Sequence, residues 1–192
     1  GYQLEQAWFQ IYDLVFVATE YHKDLILKSH NVDPNKIKVT GLPFYANDLP
    51  KGTSPRERET IIFPHRLDPE KQPQEFDSLP DLVSLPNLRY IRTYDYCRTK
   101  SDYYNLLKVG GIAVSFALQE TFGIAMLEAT ALGCIPFVPD RLSYKELYPD
   151  QLRYSNMREL VSKIRDCYVN WDYYENIRQE TTELQGKYLK GS

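Results

Sequence analysis

The sequence predicts an α/β protein in which helices cover both faces of a parallel sheet. Strand-like segments alternate with helical segments along the chain, and the segment 111–118 is apolar and β-branched enough for a buried strand. In such sheets ligands bind at the carboxyl ends of the strands, so we expect the loops that follow four of the strands to share one functional edge. These loops follow Phe63, Thr93, Leu118 and Val138.

The predicted elements form two series. The first consists of a helix, a strand, a helix and a strand at 4–10, 13–19, 20–30 and 36–40. A polar stretch at 45–59, which contains proline and glycine, predicts a linker. The second series has strands at 60–64, 88–93, 111–118 and 134–139. Its helices are predicted at 74–79, 100–109, 122–132, 143–147, 156–170 and 171–189.

The composition is that of a folded protein, with 43% hydrophobic residues and a net charge of −3 over 192 residues. This charge gives no global attraction to nucleic acid or to an anionic membrane, and no apolar run is long enough to span a bilayer. The three cysteines form no C-x-x-C pair and the three histidines have no metal-ligand spacing, which argues against a disulfide framework and a zinc site. We therefore expect the protein to reside in a reducing cytosol. Because the chain begins with Gly1, we expect a fragment or a processed form.

The stretch 115–128 indicates most about function. It reads as the end of a buried strand, a turn and the start of a helix, with Glu120 and Glu128 separated by seven residues. Thr121 is the predicted N-cap, and Gly133 is placed to end the helix. A helix start of this kind presents unpaired N–H groups and a positive dipole to an anion.

A second element, Arg66 and Lys71, follows the predicted strand 60–64. A guanidinium fork and an ammonium group at the mouth of the sheet suit the oxygens of a diphosphate. The alternative is an ordinary exposed ion-pair loop, because Asp68 and Glu70 lie next to them.

Taken in order, these elements resemble retaining GT-B glycosyltransferases, in particular glycosyltransferase family 4. The segment 120–128 resembles the family's E-x7-E element, and 65–71 resembles G-R-L-x-x-x-K with His65 in place of glycine. The segment 133–138 resembles G-x-P-V-V, and 140–149 resembles the tRNA-queuosine mannosyltransferase branch.

The resemblance implies the carboxyl-terminal half of such an enzyme, a Rossmann-like domain. Residues 1–43 would be the end of an N-terminal acceptor domain and a linker strand, 44–172 the nucleotide-sugar-binding domain, and 173–192 a helix packing back toward the N-terminal domain. Such a half is expected to bind donor weakly and to turn over little without the missing N-terminal domain.

The resemblance also assigns residues. It implies catalytic roles for Glu120, Arg66 and Lys71, with the two cations neutralising the leaving diphosphate and Glu120 positioned near the sugar hydroxyls rather than acting as a nucleophile. The implied donor-binding residues are Thr121, Phe122, Gly123, Ile124, Glu128 and Tyr94. Of these, Glu128 accepts hydrogen bonds from the ribose. Tyr94 stacks on the base, with a packed surface tyrosine as the equal alternative.

The implied reaction transfers a sugar from a UDP- or GDP-sugar with retention. No metal or other cofactor is expected, since the chain contains no D-x-D motif. The acceptor is a glycan, a lipid-linked glycan or a modified nucleoside in tRNA or DNA, and the location is cytoplasmic, with peripheral membrane association left open. Two alternatives stay open: a sugar-nucleotide epimerase, for which Asp95 is the unusual acid/base candidate, and a non-catalytic binding module.

Overall fold

The computed structural model describes residues 2–41, 49–50, 55–120 and 122–189. The strands are β1 (Val15–Val17), β2 (Ile37–Val39), β3 (Glu57–Phe63), β4 (Arg89–Arg92), β5 (Gly110–Val114), β6 (Ile135–Pro139) and β7 (Arg153–Tyr154). The helices are α1 (Tyr2–Ile11), α2 (Glu20–Ser29), α3 (Pro73–Asp77), α4 (Leu79–Val83), α5 (Thr93–Tyr96), α6 (Lys100–Val109), α7 (Ile124–Ala131), α8 (Tyr144–Leu147), α9 (Met157–Val169) and α10 (Trp171–Leu189). Short 3-10 turns lie at Pro34–Lys36, Pro69–Lys71 and Asp150–Leu152.

In the described residues the strands form a two-stranded sheet, β1-β2, and a five-stranded sheet in the order β4-β3-β5-β6-β7. Every pairing in both sheets is parallel, which confirms the predicted sheet type. Strand β4 lies on one side of β3, and β5 to β7 lie on the other. The winding therefore reverses between β3 and β5, and the crevice outside the carboxyl ends at such a switch point is where open α/β sheets bind ligands.

Helices cover both faces of the larger sheet, as the sequence predicts. Helix α4 packs against α9 on one face, and α7 packs against α6 and α10 on the other. Strand β3, between β4 and β5, is therefore buried from both sides, and Ile61, Ile62 and Phe63 have no exposed surface. These side chains belong to the main hydrophobic core.

A single guanidinium braces the opposite, amino-terminal edge of this sheet. Arg56 donates from Nη1 to the carbonyls of Leu107 (3.2 Å) and Gly110 (2.8 Å), and from Nη2 to the carbonyl of Leu132 (2.9 Å). Gly133 follows α7 with φ 104°, as expected of the residue that ends a helix, and a Cβ there would lie 1.9 Å from Arg56 Nη2. Arg56 thus joins the ends of α6 and α7 to the beginning of β5.

The predicted strand 111–118 is too long, because β5 ends at Val114. The hydroxyl of Ser115 accepts a hydrogen bond from the Ala117 amide at 3.3 Å and turns the chain away from the sheet. The helix start is also different from the prediction. Helix α7 begins at Ile124 with Gly123 as its N-cap, so the predicted cap at Thr121, which lies outside the described residues, is wrong.

Three further element predictions need correction. The predicted helix 74–79 is divided into α3 and α4, and the loop expected after residue 93 forms the one-turn helix α5. The predicted linker 45–59 ends earlier, because β3 begins at Glu57; the rest of this prediction falls mainly on residues 42–48 and 51–54, outside the described residues.

The first series of elements has a small core of its own, formed by Val17, Ile26 and Ile37. It meets the larger unit where the Glu146 carboxylate accepts hydrogen bonds from the first amides of α2, those of Glu20 (3.3 Å) and Tyr21 (3.2 Å). None of the described helices has the length and apolar character needed to cross a membrane.

Candidate active site

Lys71 and Glu120 meet at the switch point of the sheet. Lys71 ends the 3-10 turn after β3, and its Nζ lies 3.0 Å from Glu120 Oε2 in the loop after β5. The ammonium group also donates to the Gln119 carbonyl at 2.9 Å. The two side chains are only 13% and 19% exposed. Two residues predicted from separate motifs thus form one partly buried ion pair.

Main-chain contact fixes the two loops against each other. The Leu118 amide donates to the Glu70 carbonyl at 2.8 Å, immediately beside the ion pair. Arg66, the other predicted cation, lies at the rim, with its side chain 76% exposed and its Nε 3.1 Å from Asp68 Oδ2. The ion-pair loop that the sequence left open as an alternative therefore exists at Arg66, whereas Lys71 faces the loop after β5.

The start of α7 requires glycine at position 123. Gly123 has φ 77°, in the left-handed region, and a Cβ there would lie 2.8 Å from Tyr144 Cε1. The Met126 amide already donates to the Gly123 carbonyl at 3.0 Å, so helix geometry leaves the amides of Ile124 and Ala125 without an acceptor within α7. Phe122 is 3% exposed and its side chain packs in the main core, so only its backbone can reach a ligand. The Ile124 side chain is 44% exposed.

Glu128 lies one helical turn further along α7 and is 8% exposed. The Tyr104 hydroxyl on α6 donates to Glu128 Oε1 at 2.9 Å, and Lys100 Nζ lies 5.3 Å from the centroid of the Tyr104 ring. Burial and then the neighbouring Glu128 charge raise the pKa of the Tyr103 phenol. The sequence predicts Glu128 but neither its hydrogen-bond donor Tyr104 nor its neighbour Tyr103, because only the packing of α6 on α7 brings them together.

A cavity of about 270 Å³ opens at the carboxyl ends of β3 and β4. Its lining residues are Pro64, His65, Arg66, Thr93, Tyr94, Cys97, Arg98, Thr99 and Tyr103. The predicted base-stacking residue Tyr94 is 61% exposed there. Tyr103 is the lining residue that connects this cavity to Glu128, because its phenol is near enough for the carboxylate charge to raise its pKa.

His65 forms the inner wall of this cavity and remains uncharged. Burial, with a smaller contribution from the charge of Lys71, lowers the pKa of His65 to about 3. Its ring packs edge-on against Phe63 with the ring centroids 5.2 Å apart. Within the described part of the chain its Nε2 is buried without a hydrogen-bond partner. A neutral imidazole thus occupies the position where the G-R-L-x-x-x-K motif of the glycosyltransferases has glycine.

Two other features lie outside this arrangement. Asp95, the acid/base candidate of the epimerase alternative, is held by Arg92, whose Nε lies 2.6 Å from Asp95 Oδ2. A larger cavity of about 520 Å³ between α4 and α9 is lined by Leu82, Met157 and their neighbours, and includes none of the predicted site residues. Neither feature adds a reactive group to the switch point.

No protein-family model matches the chain. In sequence, the chain is 34% identical over 130 residues to the tRNA-queuosine alpha-mannosyltransferase of Drosophila melanogaster. That alignment covers 61% of this chain and 33% of the relative, so the matched part spans about a third of the relative's length.

Solved structures show the same fold at low sequence identity. The Anabaena protein Alr3699/HepE in complex with UDP and glucose superposes with a TM-score of 0.80 at 13% identity, covering 98% of this chain and 63% of that one. The protein TarM superposes with a TM-score of 0.74 at 16% identity, covering 95% of this chain and 41% of that one. The GT-B resemblance predicted from the motifs is therefore confirmed: the chain has the fold of GT-B glycosyltransferases and is similar in sequence to a mannosyltransferase.

Proposed function

We propose that this chain is the donor-binding part of a retaining, metal-independent glycosyltransferase of family 4. The observation that carries the proposal is the Lys71–Glu120 pair at the switch point, which joins the two motif loops at the ligand-binding crevice. The diphosphate is proposed to lie between Lys71, Arg66 and the amides that begin α7. Cations and helix-start amides there stabilise the charge that develops as the nucleotide leaves, which is the basis for proposing that no metal is needed.

The nucleoside is proposed to occupy the cavity after β3 and β4. Tyr94 is exposed at this cavity and offers its ring to the base, while Glu128 lies beside the cavity with carboxylate oxygens suited to a vicinal diol. This arrangement supports a nucleoside diphosphate sugar as the donor. The backbone at Thr121, Phe122, Gly123 and Ile124 is proposed to complete the diphosphate contacts.

Retention is proposed to follow from a same-face displacement. The acceptor oxygen bonds to the anomeric carbon, the bond from that carbon to the diphosphate oxygen breaks, and the acceptor proton passes to the departing diphosphate. Glu120 is bound by an ammonium group at 3.0 Å, which lowers its nucleophilicity and suits a carboxylate that positions sugar hydroxyls. We therefore assign Glu120 to sugar positioning.

The acceptor is proposed to be a modified nucleoside in tRNA and the sugar a mannose, supported by the name of the 34% identical relative. A glycan or a lipid-linked glycan is the alternative. The proposal includes three segments with the boundaries 1–43, 44–172 and 173–192. It also includes a further N-terminal domain, which would cover the exposed apolar side chains of α1 and β1, among them Trp8, Ile11 and Phe16. Three free thiols support a cytoplasmic location.

Calorimetric titration of the 192-residue chain with UDP, GDP and GDP-mannose tests the donor site. We expect binding of at least one of them, and we expect both Lys71→Met and Glu128→Gln to weaken it about tenfold or more, as loss of a charged contact requires. Lys28→Met, which removes an exposed lysine on α2, is the matched control and should leave binding unchanged. Equal binding by all four proteins, or none by the wild type, would contradict the proposal. Formation of an epimer without an acceptor would instead favour the epimerase.

A further inference from the structure

We infer that Tyr104 is a positioning residue that holds the Glu128 carboxylate in the orientation needed to bind the ribose of the donor. The inference rests on the proposed function, because it takes Glu128 as the ribose acceptor. It adds a residue that none of the sequence motifs contains. Tyr104 itself touches Glu128 rather than the donor.

The geometry is that of a directed contact between two helices. The Tyr104 hydroxyl on α6 donates to Glu128 Oε1 on α7 at 2.9 Å. Among the described residues, no lysine or arginine lies within ion-pair distance of Glu128. Its nearly buried carboxylate is therefore oriented by a neutral donor rather than by a counter-ion.

Tyr104 is itself held in place. Helix α6 starts with a reciprocal cap, in which Thr99 Oγ1 accepts from the Asp102 amide (3.1 Å) and Asp102 Oδ2 accepts from the Thr99 amide (2.8 Å). One turn earlier on the same helix face, the Lys100 ammonium group lies over the Tyr104 ring at 5.3 Å from its centroid. The cap fixes the first turn of α6, and the lysine restrains the ring.

The chemical consequence follows from the number of acceptor positions. A carboxylate has about four lone-pair sites, and one phenol occupies only one of them on Oε1. The remaining sites, including those of Oε2, stay available to the two hydroxyls of a vicinal diol. A counter-ion such as arginine would engage both oxygens and compete with the diol. Tyr104 therefore orients Glu128 through Oε1 and leaves Oε2 to the diol, while the buried Tyr103 hydroxyl lies beside the carboxylate.

The test compares nucleotides that differ only in the ribose. Calorimetry gives the dissociation constants of UDP and 2′-deoxy-UDP, and of GDP and 2′-deoxy-GDP, for the wild type, Tyr104→Phe and Glu128→Gln. Tyr173→Phe, which removes a hydroxyl from the exposed side of α10, is the matched control. We expect the wild type to prefer the ribonucleotide about tenfold, the worth of one hydrogen bond to a charged group, and Tyr104→Phe to lose most of that preference.

Two results separate the inference from the proposed function. If Tyr104→Phe keeps the wild-type preference while Glu128→Gln loses it, the positioning role is overturned and the donor site stands. If the wild type binds no nucleotide, both are overturned. Lys100→Met, at an exposed position, tests the role without changing the tyrosine and is expected to lower the preference by a smaller factor. An unchanged preference in both variants refutes the inference even if Tyr104→Phe is less stable.

Discussion

The ion pair between Lys71 and Glu120 gives the most direct test of how the site is built. We consider Lys71→Met, Glu120→Gln and the double variant. The pair is joined at 3.0 Å and its side chains are 13% and 19% exposed. It therefore lies between surface pairs, which couple by about 0.2–1 kcal/mol, and fully buried pairs, for which removal of one partner costs about 3–5 kcal/mol.

From these limits we expect each single substitution to lower the free energy of unfolding by about 2 kcal/mol, with a coupling energy of about 1.5 kcal/mol. The cost arises because the remaining charge stays partly buried without its counter-ion. Urea unfolding at pH 7 followed by circular dichroism measures all four corners of the cycle. Lys163 and Glu159, 3.6 Å apart along α9, form the control cycle, with an expected coupling below about 0.5 kcal/mol.

The same variants separate stability from donor binding. Lys71→Met is expected to weaken UDP or GDP binding about tenfold or more, because in the proposed site the ammonium group faces the diphosphate. Glu120→Gln is expected to change it little, because in the proposed site this carboxylate faces the sugar. A coupling energy within about 0.3 kcal/mol of zero, the usual additivity error, would refute the view that the two loops are joined by this pair.

Three further predictions concern the scaffold. Gly123→Ala is expected to lower the free energy of unfolding by about 2 kcal/mol, because the backbone there is left-handed and the added Cβ would meet the Tyr144 ring. Gly186→Ala, where a Cβ would meet nothing within 4 Å, is expected to raise the free energy of unfolding by about 0.5–1 kcal/mol. Chemical denaturation of both variants measures the two changes. Because the pKa of His65 falls to about 3 on folding, the unfolded chain binds the extra proton below pH 6.5 and stability falls as the pH falls. The loss is about 1–2 kcal/mol between pH 6.5 and 5, and a His65→Gln variant with the same slope in urea unfolding would contradict it. Arg56→Met is expected to cost about 3 kcal/mol, seen as a lower melting temperature, because it leaves three carbonyls without their charged donor.

Local signals in the sequence predict much of the fold. Helix α6 is predicted with its observed bounds, Lys100–Val109, and Thr99 caps it with its side chain. The last helix is predicted equally well. The order of strands and helices was sufficient to predict a parallel sheet, and therefore that Lys71 and Glu120 lie at the same edge. These features depend on residues that are near one another in the chain or on a general rule of sheet winding.

The features that the sequence did not predict depend on distant residues. Tyr104 and Glu128 are separated by 24 positions, and Arg56 and Leu132 by 76. No periodicity or spacing in the sequence predicts these two contacts, because they arise from the way that the helices pack. Strand β7 was missed for a different reason, since two residues are too few to show a strand pattern.

The bracing of the sheet by Arg56 has a consequence for how substitutions would affect this protein. The amino-terminal edge, where Arg56 joins three chain segments, contributes to stability, while the opposite edge contains the charged and polar groups of the proposed site. Damage at the first edge would give a temperature-sensitive protein that regains donor binding when cooled. Loss of a group proposed to contact the donor at the second edge, such as the Glu128 carboxylate, would weaken binding at both temperatures. Donor binding measured at two temperatures would therefore separate variants that act through stability from variants that remove a donor contact.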